Sequence, residues 1–552
     1  MAEADEWWKN AVIYGVDVER FCDSDGDGVG DFAGLTGRLD HLARLGVTCV
    51  WLLPFFPSTN RDNGYDITDY LQVDPRYGTF DDFLDFVVQA GARGIRVILD
   101  LVAQHTSDRH PWFLSARHDA RSPFRDYYVW TDHPPRPTAG RGPMFPGQED
   151  AIWTHDPVAQ QYYYHRFYRF QPSLNHENPA VWTELERIID FWMSFGIAGF
   201  RLDAAAHMIE KPLDPQGGKD REHRVLRDIF RHVTACNPDA LIMSEVDEDE
   251  SVLPEFFDGR QMNAMLNFSL NNHLLHALAV GRARPLLDGL ARLPPPPQNG
   301  VWANFLRNLD EADLERLDPG GYDDTVAALG PDEDMRIFGR GLRRRLAPML
   351  GGDGPRLRMA FSLLFAMPGA PLICYGDEIG MGEDLSQPGR NALRSPMQWT
   401  RGRNGGFSSA AKSRLTQPVV TGAFGPDRVN AEDQWQDDGS LLNHVARLAA
   451  IRLEHPSIGW RECRPLGDTP DGVVALRYGA ADHDLVILHN LSDKPARLDL
   501  DLGATCRGQA AALLGEALDS QDGRLRITLP GYDFRWSKWP HQHPMTIRAR
   551  AV

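Results

Sequence analysis

The sequence predicts a (β/α)8 barrel, an α/β TIM barrel with an inserted subdomain after its third strand and a C-terminal antiparallel β-domain. Three observations predict it. Eight short apolar runs alternate with amphipathic helical patterns before residue 460. Alternation of this kind makes parallel strands, and eight repeats close a barrel. Beyond residue 460 the helical period gives way to alternating strands broken by turn residues.

The strands are expected in AVIYGVDV (11–18), VTCVWLL (47–53), IRVILDL (95–101), AGFRLD (198–203), ALIMSE (240–245), NAMLNF (263–268), VWANFLRN (301–308) and PLICYGD (371–377). Between them, stretches such as LTGRLDHLARLG and FDDFLDFVVQAGARG place apolar residues at i, i+3, i+4 and i+7, the stripe of a helix lying on a sheet. After the third strand, about 75 residues rich in aromatics, Pro and His precede the next helix, too many for a plain connection. A small subdomain is therefore expected over 105–176, leaving 1–104 and 177–460 to the barrel. LPPPPQNG (293–300) reads as a stiff connector, and a long stretch rich in Gly, Arg and Asn separates the eighth strand from a helix near 441–455. DGVVALRY, DLVILHN, ARLDLDL and LRITLP then assign 461–552 to a β-sandwich. It is read as a packing module, with homo-oligomerisation left open.

The bulk numbers exclude several functions. The chain has 552 residues and a net charge of −19; neutralising nucleic-acid phosphates needs clustered Lys and Arg instead. One basic cluster, GRGLRRRL (339–346), has helical spacing and reads as a solvated helix face. No apolar run approaches the ~18 residues of a membrane span, and MAEADEWWKN has neither a basic leader nor an apolar signal core. The six cysteines (Cys22, Cys49, Cys236, Cys374, Cys463, Cys506) form no compact framework, as expected of reduced thiols in a cytoplasmic protein.

DSDGDGVGD (23–31) asks for a hard cation. Asp23, Asp25 and Asp27 occupy the first three oxygen positions of an EF-hand loop, Gly28 the sixth, the Val29 carbonyl the seventh and Asp31 the ninth. Position twelve is Gly34, where an EF-hand has its bidentate glutamate. The loop is read as a structural Ca2+ site, with Mg2+ as the alternative, and not as a calcium-signalling module. No organic cofactor is expected.

In a barrel of this kind the chemistry lies at the carboxyl ends of the strands. Just past the apolar runs stand Asp100, Asp203, Glu245, Asp310 and the pair Asp377-Glu378. Carboxylates brought together push their pKa values apart, giving one acid and one nucleophile, the pair glycoside hydrolysis uses. Arg201 lies two residues before Asp203 on a strand, hence on the same face. NGYD (63–66) and the aromatics Trp112, Phe113, Trp130 and Trp153 suit sugar stacking, although most such rings are core.

These motifs resemble glycoside hydrolase family 13, the α-amylase family, from about Trp7 to Trp539. DLVAQHTS (100–107), GFRLDAAAH (199–207), SEVD (244–247) and FLRNLD (305–310) resemble its four conserved regions. DNGYDITDY (62–70) and RNALRSPMQW (390–399) are similar to the branch acting on short α-glucosides, and FPGQEDAIWTHDP, RIFGRGLRRRLAPML and YGDEIGMG to its members that interconvert maltose and trehalose. The resemblance implies a retaining mechanism. Asp203 would attack the anomeric carbon, Glu245 would serve as acid then base, and Asp310 would hold hydroxyls at the reacting centre. Arg201 would orient Asp203, Tyr65 would stack under the glucose, and Asp62, His105 and Arg394 would grip its hydroxyls. The acidic loop resembles one that holds calcium in this branch. The sequence departs from the pattern at Leu309 (histidine in the family), Gln104 (asparagine) and Ser173 (aspartate). The expected function is maltose–trehalose interconversion. Hydrolysis or transfer from short α-glucosides is the alternative, and a catalytically weakened sugar-binding protein is the alternative of another class.

Overall fold

Eight parallel strands close into one barrel in the computed structural model, which describes residues 6–135, 142–214, 218–467, 469–480, 482–503 and 508–540. The strands are β1 (Ile13–Val16), β2 (Cys49–Leu52), β3 (Arg96–Leu101), β4 (Gly199–Leu202), β5 (Leu241–Ser244), β6 (Ala264–Leu266), β7 (Val301–Phe305) and β8 (Ala370–Cys374). Each pairs with its neighbours in sequence, and β1 closes the ring, with Ile13 opposite Cys49 on one side and Leu372 on the other. Nearly every strand residue is buried, as helices on the outer face and packed side chains within require. The strands are shorter than the apolar runs that predict them. The polar residues ending several runs, Asp203 and Glu245 among them, leave the sheet to line the rim.

The helices show why the sequence folds this way. α1 (Phe80–Ala92) opens with a capping box between Thr79 and Asp82 and buries Phe83, Phe86 and Ala90. α2 (Pro179–Met193) starts with an Asn178 cap and Pro179, and turns Val181, Leu185, Ile188, Ile189 and Trp192 inward. The Trp192 ring meets Phe55, Phe80 and Phe83. α3 (Arg224–Cys236) packs beside α2. Later come α4 (Phe268–Val280), α5 (Gly354–Ala366) and α6 (Leu441–Glu454).

Between β3 and α2 the chain forms a three-stranded antiparallel sheet from Trp130–Thr131, Trp153–Asp156 and Gln161–Tyr164. A further excursion was not expected. After β7 the chain builds the helix Pro319–Leu329 and a small sheet of Ala312–Asp313, Arg336–Ile337 and Gly341–Leu342. The basic cluster at 339–346 belongs to it and is not a solvated helix face. Gly341–Leu342 is a strand, and Arg344 and Arg345 are buried. Arg340 pairs with Asp313, Arg344 with Glu383 and Arg345 with Asp377. Asp377 and Glu383, which follow β8, draw Arg345 and Arg344 inward, since a buried charge persists only when paired.

The C-terminal segment forms two antiparallel sheets. One orders Cys463–Pro465, Val473–Gly479, His483–Asn490, Phe534–Pro540 and Ala511–Leu514; the other orders Ala496–Asp501, Arg524–Leu529, Asp519–Gln521 and Gly508–Gln509. The first packs on α5, where Ser362 Oγ meets Trp536 Nε1 at 2.8 Å and His489 Nε2 at 2.9 Å. Cys22, Cys49, Cys236, Cys374 and Cys463 are free thiols, and Cys506 lies outside the described residues. Among the described residues, no helix is long and apolar enough to cross a membrane.

Candidate active site

A cavity of about 600 Å3 opens at the carboxyl end of the barrel. Asp62, Tyr65, His105, Asp203, Glu245 and Asp310 line it, joined by Arg390 and the rings of Phe145, Phe167, Phe268 and Phe338. Strand geometry sets the centre: residues two apart on an extended chain share a face, and Asp203, the first residue past β4, still donates its N–H to the Leu101 carbonyl at 3.2 Å, so it faces the way Arg201 faces.

One guanidinium holds three carboxylates. Arg201 Nη1 donates to Asp100 Oδ1 at 2.9 Å and to Asp203 Oδ1 at 2.5 Å, and Nη2 donates to Glu245 Oε2. Asp100 Oδ2 also accepts from Tyr65 Oη at 3.0 Å and Trp51 Nε1 at 3.2 Å. The Arg201 guanidinium lies 5.0 Å from the centre of the Trp51 ring, a cation–π contact beneath the site. Asp310 has its own partners: Arg394 Nη2 at 2.8 Å from Oδ1 and Arg390 Nη1 at 3.6 Å from Oδ2.

These environments push the acids apart. Burial raises Asp203 to about 7; Arg201 opposes that shift and Asp100 adds to it. Asp100 itself is raised to about 6 by burial, against the pull of Arg201. Glu245 is raised by burial, which outweighs Arg201. At Asp310 burial also raises the pKa, but Arg390 and Arg394 together outweigh it and hold the acid at about 2. The rim thus carries Asp310 fixed as an anion, Asp203 exchanging its proton near neutral pH, and Glu245 held by burial above the usual range of a glutamate, the contrast that acid–base and nucleophilic chemistry requires.

The remaining expected residues divide. Asp62 accepts from Gln171 Nε2 at 2.8 Å. His105 Nδ1 lies 3.1 Å from Gln104 Oε1 and Nε2 lies 3.1 Å from the Tyr65 carbonyl; burial lowers the ring to about 4 and keeps it neutral. Gln104 and Ser173, both departures from the family pattern, meet each other through Nε2 and Oγ at 2.9 Å. Arg394 stands behind Asp310 and does not line the cavity; Arg390, four residues earlier, does. Leu309 also turns away. It is 6% exposed, and a Cβ added at Gly15 would lie 2.9 Å from its Cδ1. Asp377 and Glu378 do not join the rim. Asp377 pairs with Arg345, and Glu378 Oε1 accepts from Tyr14 Oη at 2.8 Å. Trp112, Phe113, Trp130 and Trp153 do not line the cavity; Phe113 stacks on Trp130 inside the insertion. Sequence reasoning set Asp100 on the rim but gave it no role, and it missed Arg390, which opens RNALRSPMQW.

The acidic loop follows β1 in the chain. Ligand atoms of Asp23, Asp25 and Asp27 all fall within 4.8 Å of one another, an all-oxygen set suited to a hard cation. The Asp25 carboxyl is raised by burial and by its neighbours Asp27, Asp23 and Asp31. Asp31 stands outside the trio and caps the helix Phe32–Thr36, accepting from Gly34 N at 2.7 Å. Val29 donates its own N–H to Asp27 Oδ1 at 2.8 Å. The loop grips the segment after β8: Asp23 N donates to the Phe407 carbonyl at 2.9 Å, and the Ser408 hydroxyl donates to Asp23.

Comparison with known proteins matches residues 15–286 and 342–460 to the α-amylase catalytic domain, and 483–538 to a sucrose hydrolase-like C-terminal domain. The chain is 38% identical over 541 residues to the trehalose synthase/amylase TreS of Mycobacterium tuberculosis, covering 96% of this chain and 90% of that protein. It is 35% identical over 553 residues to the trehalose synthase of Pimelobacter, covering 97% and 96%. Among solved structures, the α-amylase of H. orenii superposes with a TM-score of 0.77 at 28% identity, covering 96% of this chain and 99% of that one. With its closed barrel, its carboxylate rim and a catalytic-domain match over most of its length, the chain belongs to the α-amylase family of glycoside hydrolase-type enzymes.

Proposed function

We propose that the protein interconverts maltose and trehalose by a retaining mechanism inside the barrel cavity. Asp203 attacks the anomeric carbon of the non-reducing glucose while Glu245 protonates the departing oxygen. A β-glucosyl ester on Asp203 and a free glucose result. The glucose turns in the cavity and presents its anomeric hydroxyl in place of its 4-hydroxyl. Glu245, now a base, takes that proton as the oxygen attacks, and the second inversion restores the α configuration. Asp310, anchored by two arginines, holds substrate hydroxyls near the cationic transition state. Tyr65 supplies a face for the sugar, and Asp62 and His105 contact its hydroxyls. Arg201 positions both reacting carboxylates.

The observation that carries this reading is the single Arg201 guanidinium bonded to Asp203 and Glu245 at once, in a cavity sized for a disaccharide. Relatives named trehalose synthases support the choice of substrate. Hydrolysis of short α-glucosides is the second reading, favoured by the superposition on an α-amylase. The acidic loop is proposed to hold one structural Ca2+ through Asp23, Asp25 and Asp27, with Asp31 and the Val29 carbonyl completing it after adjustment. We also place the protein in the cytoplasm, in keeping with its unpaired cysteines.

Incubation with maltose, and separately with trehalose, with every product sugar quantified, tests the reading. Each disaccharide should appear from the other with little free glucose. Glucose as the main product from both would make the enzyme a hydrolase and overturn the isomerase proposal.

A further inference from the structure

On the outer wall of the barrel, far along the chain from the acidic loop, α2 and α3 place a second ligand set between them. Asp190 and Glu186 are one turn apart on α2, and His232 and Cys236 are one turn apart on α3. Residues at i and i+4 share a helix face, so the helices present their pairs to each other. His232 Nε2 lies 2.7 Å from Asp190 Oδ1, and Cys236 Sγ lies 3.5 Å from the same oxygen. The ligand atoms of Asp190, His232 and Cys236 all fall within 4.8 Å of one another. A shallow cleft lined by Asp190, Met193, Ser194 and Cys236 gives access.

The fourth residue decides between a surface ion pair and a metal centre. Glu186 Oε1 faces the other ring nitrogen, His232 Nδ1, at 3.8 Å. A metal-binding imidazole commonly gives its second N–H to a carboxylate, which fixes the tautomer and turns the free lone pair toward the metal. The His232 and Trp182 rings also meet at right angles, 6.0 Å between centroids, which restrains the imidazole. The donors are one imidazole nitrogen, one thiol sulfur and one carboxylate oxygen, a borderline-soft set that suits Zn2+ and its neighbours and not Ca2+ or Mg2+.

We propose that Asp190, His232 and Cys236 bind one Zn2+-class ion, with solvent in the fourth tetrahedral position and Glu186 positioning the histidine. Binding exchanges the thiol proton for the metal, and that proton leaves to solvent. The ion ties α2 to α3, the helices that lead into β4 and β5. It lies at the carboxyl ends of these helices, hence at the amino ends of those strands, on the face of a barrel where residues serve stability and not chemistry. The site is therefore structural, and its loading leaves turnover unchanged.

Co2+ makes the test specific, because a Co2+–thiolate bond gives a near-ultraviolet charge-transfer band that oxygen ligands do not. The full-length protein, freed of transition metals and kept in excess Ca2+, is titrated with Co2+ and then with Zn2+. One equivalent of Co2+ should raise the band, and Zn2+ should remove it. Cys236→Ser should abolish the band, while Glu186→Gln should keep it but weaken Co2+ affinity about 10–100-fold. No band in the parent protein at stoichiometric Co2+ overturns the proposal. So does a band that survives in Cys236→Ser, which would assign the metal to another cysteine.

Discussion

At the scale of single residues, the site is governed by too few positive charges for its acids. Arg201 faces Asp100, Asp203 and Glu245, so none of the three is fully compensated, and burial raises all of them. The nucleophile must be ionised, so kcat/KM should fall as the pH drops through the Asp203 value of about 7. Asp100 is one cause of that high value. Asp100→Asn should therefore move the acid limb of the kcat/KM profile to lower pH, by about one unit, while the alkaline limb set by Glu245 moves less. An unmoved or raised acid limb would contradict this electrostatic account. The limbs belong to the coupled group, so the shift and not the absolute value is the readout. Asp203, Glu245 and Asp310 were legible in the sequence because each stands just past a β-run; the same position misled at Asp377 and Glu378, which Arg345 and Tyr14 hold away from the rim. Arg390 was not legible. It reaches the cavity from a long segment without periodicity, and its path is set by contacts far away in sequence.

At the scale of elements, those contacts run through the acidic loop. The segment after β8 carries Arg390 and Arg394 and is held to the loop after β1 at several points. Met397 N donates to the Arg20 carbonyl at 2.8 Å, Trp399 Nε1 to the Phe21 carbonyl at 2.7 Å, and Asp23 N to Phe407. Gly28 packs so closely that a Cβ there would lie 2.3 Å from the Arg414 carbonyl oxygen, and its φ of +102° suits glycine alone. A cation in this loop would neutralise three converging carboxylates and brace the arginines that hold Asp310. In protein already freed of transition metals, chelating the remaining divalent ions should lower Tm and raise KM, and Ca2+ should restore both. At a hundredfold excess over Kd the ion contributes about 2.7 kcal/mol. A Ca2+-independent Tm, or the same Ca2+ response in Asp25→Asn/Asp27→Asn, would refute the assignment. The loop was legible from its spacing, but the helix-capping role of Asp31 was not, since an Asx cap and a cation ligand have the same sequence signature. The excursion after β7 was hidden for a related reason: its strands are two residues long, too short for any alternation to register.

At the scale of the whole molecule, the C-terminal sheets are part of the barrel's outer packing. Trp536 is fully buried, and its indole and His489 meet at Ser362 on α5. Tyr478 Oη donates to the Ala366 carbonyl at the end of the same helix. A chain ending at residue 460 would expose this face of α5, leaving apolar surface and unpaired polar groups. It should aggregate or lose its cooperative transition when followed by circular dichroism and light scattering. A soluble barrel with the Tm of the full chain would show the module to be dispensable. The strand–helix rhythm and the change to alternating strands after residue 460 made this architecture readable. How the two parts meet was not, because Ser362, His489 and Trp536 carry no local pattern linking them.

The central claim is that Asp203 carries the glucosyl group. Its most direct test is to trap the intermediate with a 5-fluoro-α-glucosyl fluoride, whose glycosyl ester forms faster than it breaks down, and to map the adduct by peptide mass spectrometry. The account predicts one glycosyl group per chain, on the peptide containing Asp203, and none in Asp203→Asn, whose turnover should fall at least about a thousandfold. A label on Asp100 or Glu245, or full turnover by Asp203→Asn, would contradict it.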